Sequence, residues 1–358
     1  MGWPATPELV QALSSNYPLL SRVDVYTGST FKATIPVISW SVTATLNSQV
    51  THTGTLVVTR DVIDEGLLNP LSDKVIIWSG IKDVEEIPLM TGRVLNYNRT
   101  NLGQVTVPIS GFGYDIVAAD FEVPWSSTPG LQTSLEMRAM IVDVDPTFTV
   151  DISRGPQDGV PVLTWEEDRG SALDDLATGT NSIWQEDRTG GFVLYPNPYA
   201  APSTSTPVTT LTTGEGGNVA AAAVVTSREA VRNSVTVVVE RTDNSEPIRV
   251  TVRDTDPLSP TFWGGPFGKQ NEVVKSQNPI SLSAAQDVAT RRLRQLLAIA
   301  RSWTLESSLG VLLDPGDSYI LWWDDEVSQQ VVESVTLNSN GLPQISGREL
   351  LFLPGTVV

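Results

Sequence analysis

The stretch Ile38-Ser-Trp-Ser-Val-Thr-Ala-Thr-Leu46 decides the fold class. Ile38, Trp40, Val42, Ala44 and Leu46 alternate with Ser39, Ser41, Thr43 and Thr45. A period of two puts the apolar set on one face and the hydroxyls on the other, the pattern of a half-buried strand. Val105, Val107 and Ile109 repeat it, and residues 56–59, 75–78 and 89–95 are shorter strand candidates. Gly28, Gly54, Gly80, Gly92 and Gly103 mark the expected breaks between them. Short strands separated by regularly spaced turn residues predict a barrel or a sandwich.

Beyond this stretch the middle third changes character. Thr133-Ser-Leu-Glu136 reads as a capping box, hydroxyl and carboxylate each satisfying the other's orphan amide, ahead of a short helix through about residue 142. A second helix is expected over 171–178, with Leu173 and Leu176 inward and Gly179 as its stop. Residues 182–195 read as a hairpin turning near 189–191. Residues 196–213, rich in Pro, Ser and Thr, read as a linker or surface loop. In the last third Val235, Val237 and Val239 alternate again, as do Ile248, Val250 and Val252, and a Pro- and Gly-rich loop covers 254–268. The longest helix opens at a second capping box, Ser283-Ala-Ala-Gln286, with Val288, Leu293, Leu296, Leu297 and Ala300 as its apolar stripe. Arg291, Arg292, Arg294 and Arg301 lie mainly off that stripe, as a solvated face or an ion-pair rim against an acidic neighbouring subunit. Strands return beyond Trp303 and run through Leu353.

A chain of 358 residues is too long for one ordinary core, so two or three domains are expected. No apolar run is long enough to span a bilayer, and the N-terminus has no basic segment followed by an apolar one. Met1-Gly2 with Thr6 fits a loose myristoylation pattern, but Trp3-Pro4 follow at once and no membrane association is expected. With no cysteine, disulfides, thiolate metal sites and cysteine nucleophiles are excluded. A formal charge of −18 argues against holding nucleic acid by counterion release, which needs clustered Lys and Arg. It suits plain solubility, or a wall past which DNA slides without sticking. Ten tryptophans suit both cores and subunit interfaces.

The sole histidine, His52, is flanked by Thr51 and Thr53 and reads as an exposed strand residue, with no Gly-x-Ser-x-Gly elbow elsewhere to join it in catalysis. Paired acids occur at Glu85-Glu86, Glu166-Glu167, Asp174-Asp175 and Asp324-Asp325. Only Trp322-Trp323 before Asp324-Asp325, and more faintly Trp165 before Glu166, invite a glycan-cleaving site. Adjacent acids on a strand point to opposite faces and form no dyad by themselves. Asp314-Pro-Gly-Asp317 and residues 254–256 could suit calcium but read better as turns, since neither has EF-hand spacing. No phosphate-binding or dinucleotide fingerprint is present. The expectation is a non-enzymatic protein with no catalytic, cofactor or metal residues. A β-rich glycan hydrolase is the competing enzyme class, tested at Asp324 and Asp325.

The order of segments resembles phage tail baseplate or tail-tip hub proteins. Leu89-Met-Thr-Gly-Arg-Val94, Gln104-Val-Thr-Val107 and Gly111-Phe-Gly-Tyr-Asp115 look like the family's first barrel. Glu167-Asp-Arg-Gly-Ser-Ala-Leu-Asp-Asp-Leu-Ala177, Trp184-Gln-Glu-Asp187 and Gly191-Phe-Val-Leu-Tyr-Pro196 resemble its central module. Val231-Arg-Asn-Ser-Val-Thr-Val-Val238, Asp256-Pro-Leu-Ser-Pro260, the helix over 284–301 and Leu312-Leu-Asp-Pro-Gly-Asp317 follow its C-terminal order. The order most resembles minor tail or hub proteins of long-tailed phages infecting actinobacteria. The resemblance implies a mainly β fold with an α+β insert, two related β-barrels flanking a mixed module. The expected divisions are 1–125 for the first barrel, 126–205 for the module with its Pro/Ser/Thr-rich loop, and 206–358 for the second barrel, with a long helix near 283–302. It implies a trimer in the particle, joining the hexameric tail tube to the tip. Partners would be distal tail or tube ring proteins, the tape-measure protein, and fibre or receptor-binding proteins. DNA would pass as unbound cargo. The location would be the virion tail tip, assembled in the host cytoplasm. Ending at Val358, the chain is expected to leave fibre and lytic functions to other proteins. Asp61, Asp64, Glu65 and Asp73 are candidate acids of a negative channel wall. A distal tail ring or a receptor-binding protein is the related alternative.

Overall fold

The computed structural model describes residues 3–14, 20–81, 83–98, 103–199, 206–239, 246–276, 281–298, 301–324 and 326–350. After helix α1 (Pro7–Ser14) come β1 (Leu20–Thr27), β2 (Thr30–Ile35), β3 (Val37–Thr45), β4 (His52–Thr59), α2 (Arg60–Asp64), β5 (Asp73–Ile81), β6 (Glu85–Val94) and β7 (Gln104–Gly111). The middle holds α3 (Gly113–Ala118), β8 (Trp125–Ser126), α4 (Thr133–Val144), β9 (Val150–Asp151), β10 (Thr164–Trp165), α5 (Arg169–Thr180), β11 (Ser182–Glu186) and β12 (Phe192–Pro196). Then follow β13 (Thr209–Thr212), β14 (Ala221–Thr226), β15 (Ser234–Val239), β16 (Ile248–Arg253), β17 (Asn271–Ser276) and α6 (Leu282–Ala298). The chain closes with β18 (Arg301–Glu306), a 3-10 turn (Ser308–Leu312), β19 (Ser318–Trp323), β20 (Glu326–Asn338) and β21 (Gln344–Glu349).

The fold is mainly β, and its centre is one 13-stranded sheet in the order β14-β18-β21-β20-β3-β4-β7-β6-β5-β1-β2, with β19 on β20 and β13 on β19. The expected pair of closed barrels is not what the described residues form, because this sheet is open and both ends of the chain share it. The reason is the length of β20. Its first half pairs with β19, and its second half pairs antiparallel with β3, Ser334 opposite Thr45 through Asn338 opposite Ser41. One core cluster accordingly runs from Trp40 and Leu56 to Leu305, Tyr319 and Val335.

Two five-strand units within this sheet have the same path. β3-β4-β7-β6-β5 matches β14-β18-β21-β20-β19, and each has one helical turn (α2 or the 3-10 turn) between its second and third strands. The sequence keeps a trace of the match: Leu67-Leu-Asn-Pro-Leu-Ser-Asp-Lys-Val-Ile-Ile-Trp78 against Leu312-Leu-Asp-Pro-Gly-Asp-Ser-Tyr-Ile-Leu-Trp322. Matched positions share their burial. Leu56 and Leu305, Val75 and Tyr319, and Ile77 and Leu321 are all sealed from solvent, and so are the acids Asp73 and Asp317. The second unit differs by an insertion between β14 and β18, where the small sheet β16-β15-β17 packs under α6.

Several local expectations change. Gly54, Gly80 and Gly92 lie inside strands, not between them. At Gly80 and Gly92 a Cβ would sit 2.0 Å from the Glu85 carbonyl oxygen and 2.3 Å from that of Ser110, so close approach of neighbouring backbone explains these glycines. Thr133 and Glu136 make no reciprocal box: the Thr133 hydroxyl donates to the Asp158 carbonyl, while the Glu136 carboxylate accepts from Trp125 Nε1 and Thr128 N. α5 starts after Asp168, whose carboxylate accepts from Ser171 N, and ends at left-handed Asn181, leaving Gly179 inside the helix. Ser281, not Ser283, accepts from the Ala284 amide at the start of α6. Arg301 belongs to β18, not to the helix. The expected linker contains β13, paired parallel to β19. Residues 1–2, 200–205, 299–300 and 351–358, which include the myristoylation pattern, part of that linker, Ala300 and the expected strand end at Leu353, lie outside the described residues.

Leu56→Ala and Leu305→Ala truncate matched core positions, and each is expected to cost about 2–5 kcal/mol. Because the units share one ladder and one core, calorimetry should find a single unfolding transition moved down by either change. Two independent transitions would mean that the units fold apart.

Candidate assembly surface

Residues with potential chemistry do not converge. Trp322 and Trp323 sit on opposite faces at the end of β19: Trp322 is half exposed, and Trp323 packs edge-on against Trp303 with ring centroids 5.1 Å apart. Asp324 begins the β19–β20 turn with φ 49°, and Asp325 lies outside the described residues. Glu166 and Glu167 are exposed. Asp174 and Asp175 are held by indoles, Trp184 Nε1 donating to Asp174 and Trp165 Nε1 to Asp175, whose carboxyl burial raises above its usual pKa. Glu85 accepts from Thr6, and Glu86 pairs with Arg22. Among the described residues no three His, Asp or Glu gather as a metal-holding set. Asp254 instead ties its own loop, accepting from the Ser259 and Thr261 hydroxyls at 2.5 and 2.6 Å.

The arginines expected along α6 serve local structure. Arg292 pairs with Glu272 at 2.7 Å, Arg291 approaches Asp287 at 3.8 Å, and Arg301 bridges Glu326 and Glu349 from β18. Between α5, β17 and α6 lies a cleft of about 400 Å³. In its lining Arg292 pairs with Glu272, and Asp174 accepts from Gln49 and Trp184.

His52 is buried, contrary to the exposed reading. Its flanking threonines suggested a wet strand, but the module covers this end of β4. The His52 amide donates to Glu186 Oε1 at 2.6 Å, and its ring nitrogen Nδ1 lies 3.5 Å from the same oxygen. The Gly113 amide donates to the other Glu186 oxygen. Two residues on, Arg188 is also buried. Its guanidinium donates to Asp314 and to the Val311 and Leu313 carbonyls, at 2.6 Å for the last. The Arg188 carbonyl accepts from Thr91. The β11–β12 hairpin therefore wedges between the two units, with Glu186 gripping the first and Arg188 the Asp314 turn of the second. Gln185 and Tyr195 add donors to the Pro315 carbonyl of that turn. Sequence reasoning missed both residues; the available signal was two opposite charges two apart at the end of a strand that is apolar on both sides.

The matched acids titrate oppositely. Burial would raise Asp73, but hydrogen bonds from Lys32 Nζ (2.7 Å), Thr27 and Ser72 outweigh it and hold its pKa below the usual range. Buried and paired, Asp73 is no channel-wall acid, whereas Asp61, Asp64 and Glu65 are exposed on and just after α2. At Asp317 burial and the nearby Asp314 prevail and push the pKa up to about 6.

No protein-family model and no curated protein matches the sequence. Solved structures match the fold. The 43 kDa tail protein of prophage MuSo2 from Shewanella oneidensis superposes with a TM-score of 0.66 at 12% identity, covering 91% of this chain and 98% of that one. The tail protein from Neisseria meningitidis MC58 gives 0.66 at 12% identity over 93% and 97%. The E. coli c3393 protein, a component of the type VI secretion system described as similar to T4 bacteriophage tail proteins gp27 and gp5, gives 0.54 at 7% identity over 92% and 77%. The chain thus carries the phage tail-protein fold over more than nine tenths of its length. None of these organisms is an actinobacterium, so the expected host has no support.

Arg188→Ala should cost about 3–5 kcal/mol, because it leaves Asp314 and two turn carbonyls without their donor; urea midpoints measure it. Asp317 carries the pH dependence of the same turn. Its folded pKa is raised, so its contribution favours folding most below the unfolded carboxylate value and is lost as pH rises through about 6. Asp317→Asn should remove that slope, stabilising the chain at pH 7 relative to wild type by up to about 3 kcal/mol with little change at pH 4. An unchanged pH profile would exclude this role.

Proposed function

We propose that this chain is a structural, non-catalytic hub of a phage-type tail tip, in which three copies form a ring that joins the hexameric tail tube to the tip. The observation that carries this reading is the duplicated five-strand path, β3-β4-β7-β6-β5 and β14-β18-β21-β20-β19. Two like units per chain let a threefold ring present six similar faces, which is how a trimer can meet a hexamer. The fold likeness to tail proteins supports the setting. In this reading the two units, centred in 1–125 and 206–358, take the place of the family's two related barrels, and 126–205 is the module that holds them in register. Distal tail or tube ring proteins would sit above, with fibre or receptor-binding proteins around and below, and the tape-measure protein and then DNA would pass through the centre.

The surplus of acids, a net −18, supports a channel that does not retain DNA. A basic wall would bind it by counterion release, whereas an acidic one repels it over about 8 Å at physiological salt. Asp61, Asp64 and Glu65 remain the candidate wall residues.

Electron microscopy of the assembled tip should find three copies in one ring with a sixfold-like outline, and six copies would favour a distal tail ring. A surface potential that is neutral or basic along the channel, or retention of DNA by the purified chain at low salt, would rule out the acidic wall.

A further inference from the structure

Within the chain, the two units are already joined by one specific contact. The fourth strand of the second unit, β20, offers the edge 334–338, and the first strand of the other unit, β3, fills it. The Leu46 amide extends the contact to the Glu333 carbonyl at 2.8 Å. The strand matching β20 is β6 with its continuation over 95–98, and the strand matching β3 is β14. Among the described residues no strand fills the edge of 95–98 away from β7, and β14 pairs only with β18. The same two half-contacts therefore recur in the monomer, one on each unit, and among the described residues both stand open.

Exposure follows this division. In the formed contact, Val335 and Ala44 are opposite one another and buried. Carried through the neighbouring strands β7 and β21, these positions match Asn96 and Thr226, and both are exposed. β14 presents Val225 at 58% exposure on an edge without charge, Pro or bulge, the kind of edge that adds a strand. The turns differ likewise. Beside β20, the Pro315 turn is sealed by Arg188, Tyr195 and Leu46. Beside β6, the matching turn leaves Leu71 94% exposed over a hollow of about 440 Å³ bounded by Pro70, Asp73, Arg93 and Leu95.

We infer that β14 of one copy adds antiparallel to the edge 95–98 of a second copy, with Thr226 opposite Asn96, and that this contact closes the ring. The occupant of each open half is a second copy of this chain, because the contact repeats between copies what β3 and β20 make within one. It is a head-to-tail contact, so it propagates until rotation closes it. The inference rests on the proposed ring but commits to its edges.

The absence of cysteine makes the test clean. The full-length Asn96→Cys/Thr226→Cys chain is oxidised across a concentration series and followed by non-reducing electrophoresis and native mass spectrometry. Paired strand positions lie within disulfide reach. The expected result is a reducible ladder ending at three chains, which neither single variant gives. In parallel, Val225→Lys should weaken association by about tenfold or more, since an edge charge opposes strand addition, and leave the melting temperature of the monomer unchanged. Rings of three that form without this cross-link overturn the edge assignment and leave the hub reading standing. A chain that stays monomeric throughout and gives no cross-link overturns both, and capture of β14 by a different tail protein overturns the self-contact.

Discussion

The pairing of β20 with β3 is the constraint on which the rest of the molecule depends. It ties residues nearly three hundred positions apart, down to the Thr43 and Thr336 hydroxyls at 3.2 Å. Backbone donors and acceptors in a buried strand must be paired, and leaving one unpaired costs as much as a lost hydrogen bond. β20 meets this demand along its whole length only by switching partners midway, from β19 to β3. That switch converts two similar units into one sheet with one core. Beside it, Leu46, Ile183, Tyr195, Tyr199 and Val331 form a second apolar cluster, so the join also seats the module.

The module works as a wedge held by charge. Glu186 and Arg188 are buried, yet each is met by backbone amides, backbone carbonyls or an acid. Such groups add little net stability compared with apolar residues of the same size, but they accept only one geometry. A hairpin displaced by one residue would lose both grips, because Glu186 and Arg188 would turn to the wrong face. The hairpin thereby fixes the angle between the units.

Duplicated positions also show how neighbours, not sequence identity, set behaviour. Asp73 and Asp317 occupy the same place in their units, after a Pro-containing turn and before a buried strand. Lys32, from β2, reaches the first and holds it charged. The second unit has β13 beside its third strand where the first has β1 and β2. One acid is therefore held charged, and the other is pushed toward its neutral form by burial beside Asp314.

The alternation from Trp40 to Leu46, its echoes at Val105 and Val235, and the apolar stripe of α6 were legible from the sequence, because strand and helix periods are properties of the local backbone; Ile38, expected on the same face, is exposed at a register shift in β3. So were the mainly β character and the likeness to phage tail proteins, though not the open sheet that stands in place of two closed barrels. The tertiary structure alone decided that His52 is buried, that Glu136 answers to Trp125 rather than to Thr133, and that Gly80 and Gly92 lie in strands. Each of these depends on which backbone or ring comes close from a distant part of the chain. The twofold repeat stood in the sequence at Leu67–Trp78 and Leu312–Trp322, but a turn and one strand are too short a match to stand out until the strand order aligns them. Which edges the sheet fills and which it leaves open has no local signature at all, since the hydrogen-bonding groups of a strand edge belong to the backbone and are the same in every sequence.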